Sequence, residues 1–117
     1  MRISVVIPMY NASGMISRCL RALNEQDVLP DEVIVVDNHS KDNSWDIVEQ
    51  ESKALGNIKI ILCAESKQGP SAARNRGIEV ACGDVIAFTD CDCLPHKDWI
   101  KTIHVAFEKD QGLDRSA

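Results

Sequence analysis

The sequence contains no apolar run close to the roughly 20 residues that a membrane-spanning helix requires. Its first apolar stretch, residues 3–8, is too short for the hydrophobic region of a signal peptide, and no small-residue cleavage site follows it. We therefore expect a cytoplasmic protein without a transmembrane segment. Peripheral attachment to a membrane stays open as an alternative, although nothing in these residues encodes it.

An excess of basic residues is also lacking. The chain has 13 lysines and arginines against 18 aspartates and glutamates, which gives a net charge of −5. A general nucleic-acid binder needs a basic surface to neutralise phosphates. The composition therefore argues against a nucleic-acid partner, while a local basic pocket remains compatible with it.

The cysteines form no recognisable disulfide or zinc pattern. Their number is odd and no CxxC pair occurs, so we expect reduced thiols. The five are Cys19, Cys63, Cys82, Cys91 and Cys93. Because the last two flank Asp92, they remain alternatives as soft metal ligands, although thiolates favour zinc over the ions that bridge phosphates.

The usual glycine-rich phosphate loops are absent. No GxGxxG follows a predicted strand and no GxxxxGK[ST] occurs, which argues against a dinucleotide-binding Rossmann site and excludes a P-loop. Where sugar nucleotidyltransferases carry a glycine-rich loop, after the first strand, this chain has residues 8–11, Pro-Met-Tyr-Asn. A diphosphate ligand would need another device, and a carboxylate-bound metal is the obvious one.

Apolar runs alternate regularly with helical patterns along the chain. The length of 117 residues and the apolar content of 44% are those of one globular domain. Runs rich in valine and isoleucine predict four strands at residues 3–7, 32–37, 58–62 and 84–89. Such continuous runs are typical of strands covered on both faces. The sequence therefore predicts an α/β fold with three layers, α/β/α, around a mostly parallel sheet.

Four helices are predicted between and after these strands from apolar residues at helical spacing and from capping residues. The last is expected to end near Gly112. The predicted starts are Asn11 or Ser13, then Asp42, Asn43 or Ser44, then Pro70 or Ser71, and finally Pro95.

Polar residues directly follow the predicted strands. Because the carboxyl ends of parallel strands lie at the same end of a sheet, these residues would form a single rim. Asp37 ends the second strand, and Asp90 and Asp92 follow the fourth. Parallel sheets bind ligands beyond the carboxyl ends of their strands. Carboxylate oxygens are hard ligands that suit Mg²⁺ or Mn²⁺, and these ions commonly bridge carboxylates to phosphates. The pattern therefore predicts a metal-assisted site for a phosphorylated ligand.

Four ordered segments resemble the N-terminal half of family 2 glycosyltransferases, which have the GT-A fold. They are residues 4–11 (SVVIPMYN), 32–40 (EVIVVDNHS), 69–77 (GPSAARNRG) and 86–92 (IAFTDCD), and residues 94–100 fit as well. The resemblance covers nearly the whole chain. It implies a metal-dependent enzyme, of the inverting type, that transfers a sugar from a nucleotide-diphospho-sugar to a saccharide or lipid-linked acceptor, as in polysaccharide biosynthesis.

The resemblance also implies roles for individual residues. Pro8, Tyr10 and Asn11 would line the base pocket. Asp37 would accept a hydrogen bond from the base, and Asp90 would hold the ribose. A uracil N3–H suits Asp37 and favours a UDP-sugar, whereas a guanine N1–H would suit it too, so GDP- and dTDP-sugars stay open.

Two further roles concern the diphosphate. Asp92 would ligate the Mn²⁺ or Mg²⁺ ion that bridges the phosphates. Arg74 would contact the diphosphate or the sugar, because an arginine near a helix N-terminus offsets charge on a departing diphosphate.

Each role has a structural alternative. Asp37 would then cap the loop after its strand, Asp90 and Asp92 would be turn residues, and Tyr10 would pack in the interior. Arg74 would lie on a helix surface or pair with Glu79 or Asp84. His96 is a weak additional candidate near the rim.

The chain departs from the family pattern in two respects. Cys93 stands where the family often has a further acid. A complete domain of the family is about twice as long, and its second half supplies the acceptor pocket and the general base. We therefore expect residues 1–117 to form a single donor-binding domain that ends before the acceptor-binding half and transfers little sugar alone.

Two other classes of function stay open at this point. In the first, the chain is a non-catalytic module that binds nucleotide sugars. In the second, it is a structural domain that keeps the fold but no longer binds the ligand. Because the second half of the family's domain is missing, the sheet edge beside the fourth strand would be uncovered, which predicts self-association.

Overall fold

The computed structural model of the protein describes the backbone of residues 1–116 and the side chains of residues 1–109. Strands and helices alternate strictly along it, as predicted. In chain order they are β1 (Ile3–Met9), α1 (Ile16–Asn24), β2 (Glu32–Asp37), α2 (Ser44–Ala54), β3 (Ile60–Ala64), α3 (Pro70–Val80), β4 (Val85–Phe88) and α4 (Trp99–Ser116).

The four strands form one parallel sheet in the order β3-β2-β1-β4. The chain first moves outward from β1 through β2 to β3, and then returns to place β4 on the other side of β1. The strand order therefore reverses next to β1, and in parallel sheets such a reversal opens a crevice at the carboxyl ends of the strands.

Helices cover both faces of the sheet. On one face Val5, Ile7 and Val35 pack with apolar residues of α1, α2 and the start of α4. On the other face Val6 and Ile34 pack against α3. Every residue of β2 is buried, and β1 is buried except for the half-buried Pro8. This confirms the three-layer α/β/α fold.

Strand β1 runs two residues further than predicted, because Pro8 does not end it. Pro8 pairs with Val36 of β2, whereas the last pair between β1 and β4 joins Val6 to Phe88. The carbonyl of Pro8 accepts a hydrogen bond from the Cys91 thiol at 3.2 Å, on the β4 side. The missing N–H of Pro8 points to that same side, beyond the end of β4, so no ladder hydrogen bond is lost.

Strand β3 begins at Ile60 and not at Ile58 as predicted. Ile58 is 7% exposed and belongs to the core, but it lies in the bend before the strand. Asn57 in the same bend donates through its side chain to the Asn24 carbonyl. The apolar signal at Ile58 therefore came from a buried connection and not from the strand.

The predicted cap of α1 is wrong. Neither Asn11 nor Ser13 caps the helix, which begins at Ile16 after a turn in which the Met15 and Ile16 amides both donate to the Ala12 carbonyl. Helix α2 begins at Ser44, whose amide donates to the Asp42 carboxylate at 3.0 Å. Helix α3 begins at the predicted Pro70.

Helix α4 begins at Trp99 and not at Pro95, and it continues past Gly112 to Ser116. Its start is delayed because carbonyls of the preceding segment are used elsewhere. Gln26 donates to the His96 carbonyl at 2.7 Å, and the Asp27 amide donates to the Lys97 carbonyl. Among the described helices, α4 included, none combines the length and the apolar character that crossing a membrane requires.

Candidate functional site

A cleft of about 420 Å³ opens at the carboxyl end of the sheet, where the strand order reverses. The end of β1 forms one wall, and the loop before α3 with the first turn of α3 forms the other. The lining residues are Pro8, Met9, Tyr10, Asn38, Gln68, Gly69, Pro70, Ala73, Arg74 and Asp90.

Four of the candidates from the sequence meet in this cleft: Pro8, Tyr10, Arg74 and Asp90. Tyr10 is 56% exposed, so it does not pack in the interior. An exposed aromatic ring beside a proline at the mouth of a cleft is suited to stacking on a planar ligand group. The geometry is thus compatible with a pocket for a nucleotide base.

Arg74 lies on the exposed surface of α3 and faces the cleft. The alternative partners suggested by the sequence are engaged elsewhere. Glu79 pairs with Arg76 at 3.4 Å, and Asp84 accepts the Arg2 backbone amide at 2.8 Å. The guanidinium therefore adds a positive charge to a cleft whose other charged lining residue is Asp90.

Asp37 and Asn11 lie close to the cleft but are not among its lining residues. Asp37 is 8% exposed, and its carboxylate accepts the Ser40 amide at 3.3 Å, as the loop-capping alternative requires. Asn11 has a φ of 47°, and its side-chain oxygen accepts the Lys41 amide at 2.7 Å. Both side chains thus hold the loop after β2 in this structure.

Asp90, Asp92 and Cys93 form a group of potential metal ligands next to the cleft. One ligand atom of each lies within 4.8 Å of the others, and all three residues are exposed. This is the single such group of three or more acidic, histidine or cysteine side chains in the described part of the chain. Two exposed carboxylates fit Mn²⁺ or Mg²⁺, which keep positions for water and phosphate oxygens. The Cys93 thiol lies 3.7 Å from Asp92 Oδ1.

Cys91, the other thiol beside Asp92, points into the protein. It is buried and donates to the Pro8 carbonyl, and Cys19 donates to the Asp90 carbonyl at 3.5 Å. Burial, as the largest cause, raises the pKa of both thiols to about 12. These two cysteines therefore anchor the loop that carries Asp90 and Asp92, and of the two flanking thiols Cys93 alone faces the candidate metal site.

A second, smaller pocket of about 80 Å³ lies beside Asp92. Met15, Arg18, Cys91 and Leu94 line it together with Asp92. Arg18 is not among the candidates from the sequence, because a surface arginine on an amphipathic helix carries no signal for a site. Asp92 and a cationic side chain thus line the same pocket.

Six residues of the main cleft are likewise absent from the candidates that the sequence offers. Asn38 follows Asp37 directly and Gln68 lies in the loop after β3, but neither has a role in the predictions from the sequence. The position after a strand end was the available signal for both. The remaining four, Met9, Gly69, Pro70 and Ala73, are small or apolar residues whose contribution depends on the tertiary arrangement.

Comparison with known proteins identifies relatives of this chain. Residues 4–112 match the family model "Glycosyl transferase family 2". The chain is 43% identical over 101 residues to "Glycosyltransferase AglE" of Haloferax volcanii, covering 85% of this chain and 33% of that protein. It is 42% identical over 94 residues to "Poly(ribitol-phosphate) beta-glucosyltransferase" of Bacillus spizizenii, covering 79% of this chain and 15% of that protein. The chain thus spans a third or less of these curated relatives.

Solved structures share the fold. S. aureus TarS 1–349 in complex with UDP-GlcNAc superposes with a TM-score of 0.82 at 29% identity, covering 93% of this chain and 32% of that one. The mannosyltransferase PcManGT from Pyrobaculum calidifontis, in complex with GDP-Man and Mn²⁺, gives a TM-score of 0.77 at 31% identity, covering 83% and 29%.

Proposed function

We propose that this chain, which belongs to glycosyl transferase family 2, binds the nucleotide-diphospho-sugar donor of a sugar-transfer reaction. One observation carries the proposal: Asp90 both lines the main cleft and belongs to the group of metal ligands. A base-sized cleft and a carboxylate metal site are therefore continuous, as a ligand with a base at one end and a diphosphate at the other requires.

The base would bind against Pro8 and Tyr10, and Asp90 would hold the ribose. Asp37 and Asn11 would complete the base pocket from behind. A carboxylate accepts several hydrogen bonds and an asparagine amide also donates, so both side chains can bind a base while they keep Ser40 and Lys41. Neither lines the cleft in this structure, so their proposed roles rest on the resemblance and on their position beside the cleft.

Asp92 would hold a Mn²⁺ or Mg²⁺ ion. When bound, such an ion neutralises negative charge on the diphosphate as the sugar leaves. Arg74 supplies a second positive charge from the opposite wall of the cleft. An arginine keeps its charge across the working pH range, so it stabilises the departing diphosphate without a proton transfer.

The proposed donor is a UDP-sugar. The structure of TarS with UDP-GlcNAc supports uridine, while that of PcManGT with GDP-Man shows that a related fold takes guanosine. GDP- and dTDP-sugars are therefore included in the test. The acceptor is proposed to be a saccharide or a lipid-linked saccharide.

Residues 1–117 are proposed to act as one donor-binding domain. The relatives are at least about three times as long as the matched segment, which supports placing the acceptor pocket and the general base of an inverting transfer in a further part of the protein. The 117-residue chain is then expected to bind donor and to transfer little sugar alone. A non-catalytic nucleotide-sugar-binding module would behave in the same way, and transfer by a longer form separates the two.

The test is isothermal titration calorimetry with UDP, GDP and dTDP, each with Mn²⁺, with Mg²⁺ and without metal. We expect binding of UDP with Mn²⁺, and an affinity at least about tenfold lower without metal or in Asp92→Ala. The matched control is Asp98→Ala, an exposed aspartate six positions further along and outside the ligand group. The affinity of Asp98→Ala for UDP with Mn²⁺ should stay within about twofold of the affinity of the unmodified chain.

Two results would contradict the proposal. One is that none of the three nucleotides binds. The other is that UDP binds equally well without metal and in Asp92→Ala, because the carboxylate site would then take no part in donor binding.

A further inference from the structure

We propose that Asn38 is the positioning residue that sets the wall of the cleft opposite Tyr10. This inference rests on the proposed function, since it concerns how the donor pocket is held in shape. Asn38 directly follows the last residue of β2, is 8% exposed and contributes to the cleft lining.

The evidence is a set of three hydrogen bonds from one amide. The Asn38 Nδ2 group donates to the carbonyls of Glu65 at 3.0 Å and Lys67 at 2.8 Å, and Oδ1 accepts the Gly69 amide at 2.9 Å. All three partners belong to the β3–α3 loop, residues 65–69, which lies 27 to 31 positions away in sequence. One side chain therefore fixes both ends and the middle of this loop.

The loop has few other ties to the rest of the protein. In the described part of the chain, its other hydrogen bonds run from the Glu65 amide to the Asp37 carbonyl at 2.9 Å, from the Ala73 amide of α3 to the Gly69 carbonyl at 3.2 Å, and between the His39 ring and the Ser66 carbonyl at 2.6 Å. The Lys67 amide bonds within the loop, to the Glu65 carboxylate. In the second half of the loop, which carries Gln68 and Gly69 into the cleft, Asn38 thus makes two of the three hydrogen bonds to other described parts of the chain.

The chemistry of the side chain explains why asparagine occupies this position. A primary amide presents two donors and one acceptor in a fixed plane, which matches two carbonyls and one N–H. Aspartate would keep the acceptor for Gly69 but would place a carboxylate oxygen against two carbonyls. Alanine would leave all three backbone groups without their partner.

The loop also sets the start of α3. Gly69 has a φ of 117°, a conformation that favours glycine, and Pro70 follows it as the first residue of the helix. Gly69, Pro70 and Arg74 all line the cleft. Holding the Gly69 amide therefore determines where the helix N-terminus and the Arg74 guanidinium stand relative to a bound nucleotide.

The experiment compares the unmodified chain with Asn38→Ala and Asn38→Asp. Affinity for UDP with Mn²⁺ is measured by calorimetry, and amide hydrogen exchange is measured at Gly69 and at residues 33–36 of β2. We expect a UDP affinity at least about tenfold lower in both variants. Exchange at Gly69 should become faster in Asn38→Ala, while exchange at residues 33–36 stays unchanged.

Gln26→Ala is the matched control. Gln26 is also a buried amide, 5% exposed, and it donates to the His96 carbonyl and accepts the Ile100 amide at 3.1 Å, away from the cleft. The control should lower thermal stability as Asn38→Ala does, yet leave the affinity for UDP within about twofold. The affinity therefore separates positioning from a general structural role.

Three results overturn the inference. UDP binding by Asn38→Ala and Asn38→Asp at the affinity of the unmodified chain would show that the loop position does not matter. An equal loss of affinity in Gln26→Ala would show a structural effect only. The binding of nucleotide by the unmodified chain is measured before any variant is compared. If the unmodified chain binds no nucleotide, the proposed function is wrong and this inference falls with it. If Asn38→Ala does not fold, the affinity of Asn38→Asp for UDP tests the inference by itself.

Discussion

At the scale of single residues, Asp42 joins two loops beside the proposed site. Its carboxylate accepts the amide and the hydroxyl of Ser44 at the start of α2, and it accepts the Ser13 amide at 3.2 Å from the loop after β1. These hydrogen bonds, with that of the Ser44 hydroxyl first, lower the pKa of Asp42 to about 2. A negative charge at the N-terminus of a helix is also favoured by the helix dipole.

The pH dependence of stability follows from this lowered pKa. An aspartate has a pKa of about 3.9 in the unfolded chain, so its contribution to stability is present above about pH 4 and is lost as the pH falls through about 2. Asp42→Asn should therefore reduce the free energy of unfolding by a constant amount from pH 7 to 5. The difference from the unmodified chain should shrink between pH 4 and 2, as measured by urea unfolding.

Ser44→Ala supplies the control for this prediction, because it removes the Ser44 hydroxyl, whose hydrogen bond is the largest cause of the lowered pKa of Asp42. In that background the effect of Asp42→Asn should be smaller at neutral pH. An Asp42→Asn effect that is the same at pH 2 and pH 7 would contradict the argument.

At the scale of the elements, Gly77 determines how closely α3 approaches the sheet. A Cβ at this position would overlap the Cγ1 atom of Val6 in β1. Helix α3 also carries Arg74 and forms one wall of the cleft. The packing of α3 on β1 therefore sets the width of the proposed donor site.

Gly77→Ala should force the helix outward. Because overpacking a well-packed contact costs about 1–3 kcal/mol, we expect a loss of that size in the free energy of unfolding, together with weaker UDP binding. Gly56→Ala is the control, since a Cβ there meets no atom within 4 Å. Urea unfolding and calorimetry on both variants check the prediction, and it is wrong if Gly77→Ala is as stable as Gly56→Ala.

The type and order of the elements could be predicted from the sequence because the periodicity of apolar residues is local. Three predicted boundaries were wrong: the end of β1 at Pro8, the start of β3 at Ile58 and the start of α4 at Pro95. All three depend on contacts between residues that are distant in sequence. Pro8 stays in its strand because β4 has already ended beside it, Ile58 is a buried connection, and the helix after Pro95 starts late because Gln26 takes a carbonyl.

The candidate site was predictable to a similar degree. Asp90 follows from its position after a strand in a parallel sheet, whereas Tyr10 and Arg74 were assigned from the resemblance to a family, and all three line the cleft. Asn38 could not be recognised, because its three hydrogen-bond partners lie 27 to 31 positions away. Nor could the sequence show that the side chains of Asp37 and Asn11 are engaged by backbone amides of the neighbouring loop.

At the scale of the whole molecule, the sheet of the described residues ends in two edge strands, β3 and β4. Strand β4 pairs with β1 on one side, and no strand of residues 1–116 pairs with its other side. Phe88, at the end of this strand, is 42% exposed. An unpaired strand with exposed apolar residues is a template for pairing with another chain.

The 117-residue chain should therefore associate with itself as its concentration rises. Phe88→Lys should weaken this association, because lysine on an edge strand opposes pairing. Leu29→Lys is the control, since Leu29 is similarly exposed at 39% but lies in the loop before β2. Analytical ultracentrifugation measures the outcome, and a strictly monomeric mass over the whole concentration range would contradict the prediction.

The two ends of the sheet have different characters. At the amino-terminal end, the Ser4 hydroxyl donates to the Glu32 carboxylate at 2.7 Å, and the same carboxylate accepts the Cys82 amide, so these polar groups satisfy one another. At the carboxyl-terminal end, Asp90 and Asp92 are exposed around a cleft. Our central claim is that a metal and a nucleotide bind at this second end.

The most direct test is nuclear magnetic resonance of the ¹⁵N-labelled chain with UDP and a substoichiometric amount of Mn²⁺, whose paramagnetism broadens the amide signals of nearby residues. The account predicts that signals of residues 89–94 disappear first, that those of Arg2, Glu32 and Cys82 at the opposite end persist, and that Asp92→Ala abolishes the selective broadening. Broadening centred on the opposite end, or the same broadening in Asp92→Ala, would contradict it.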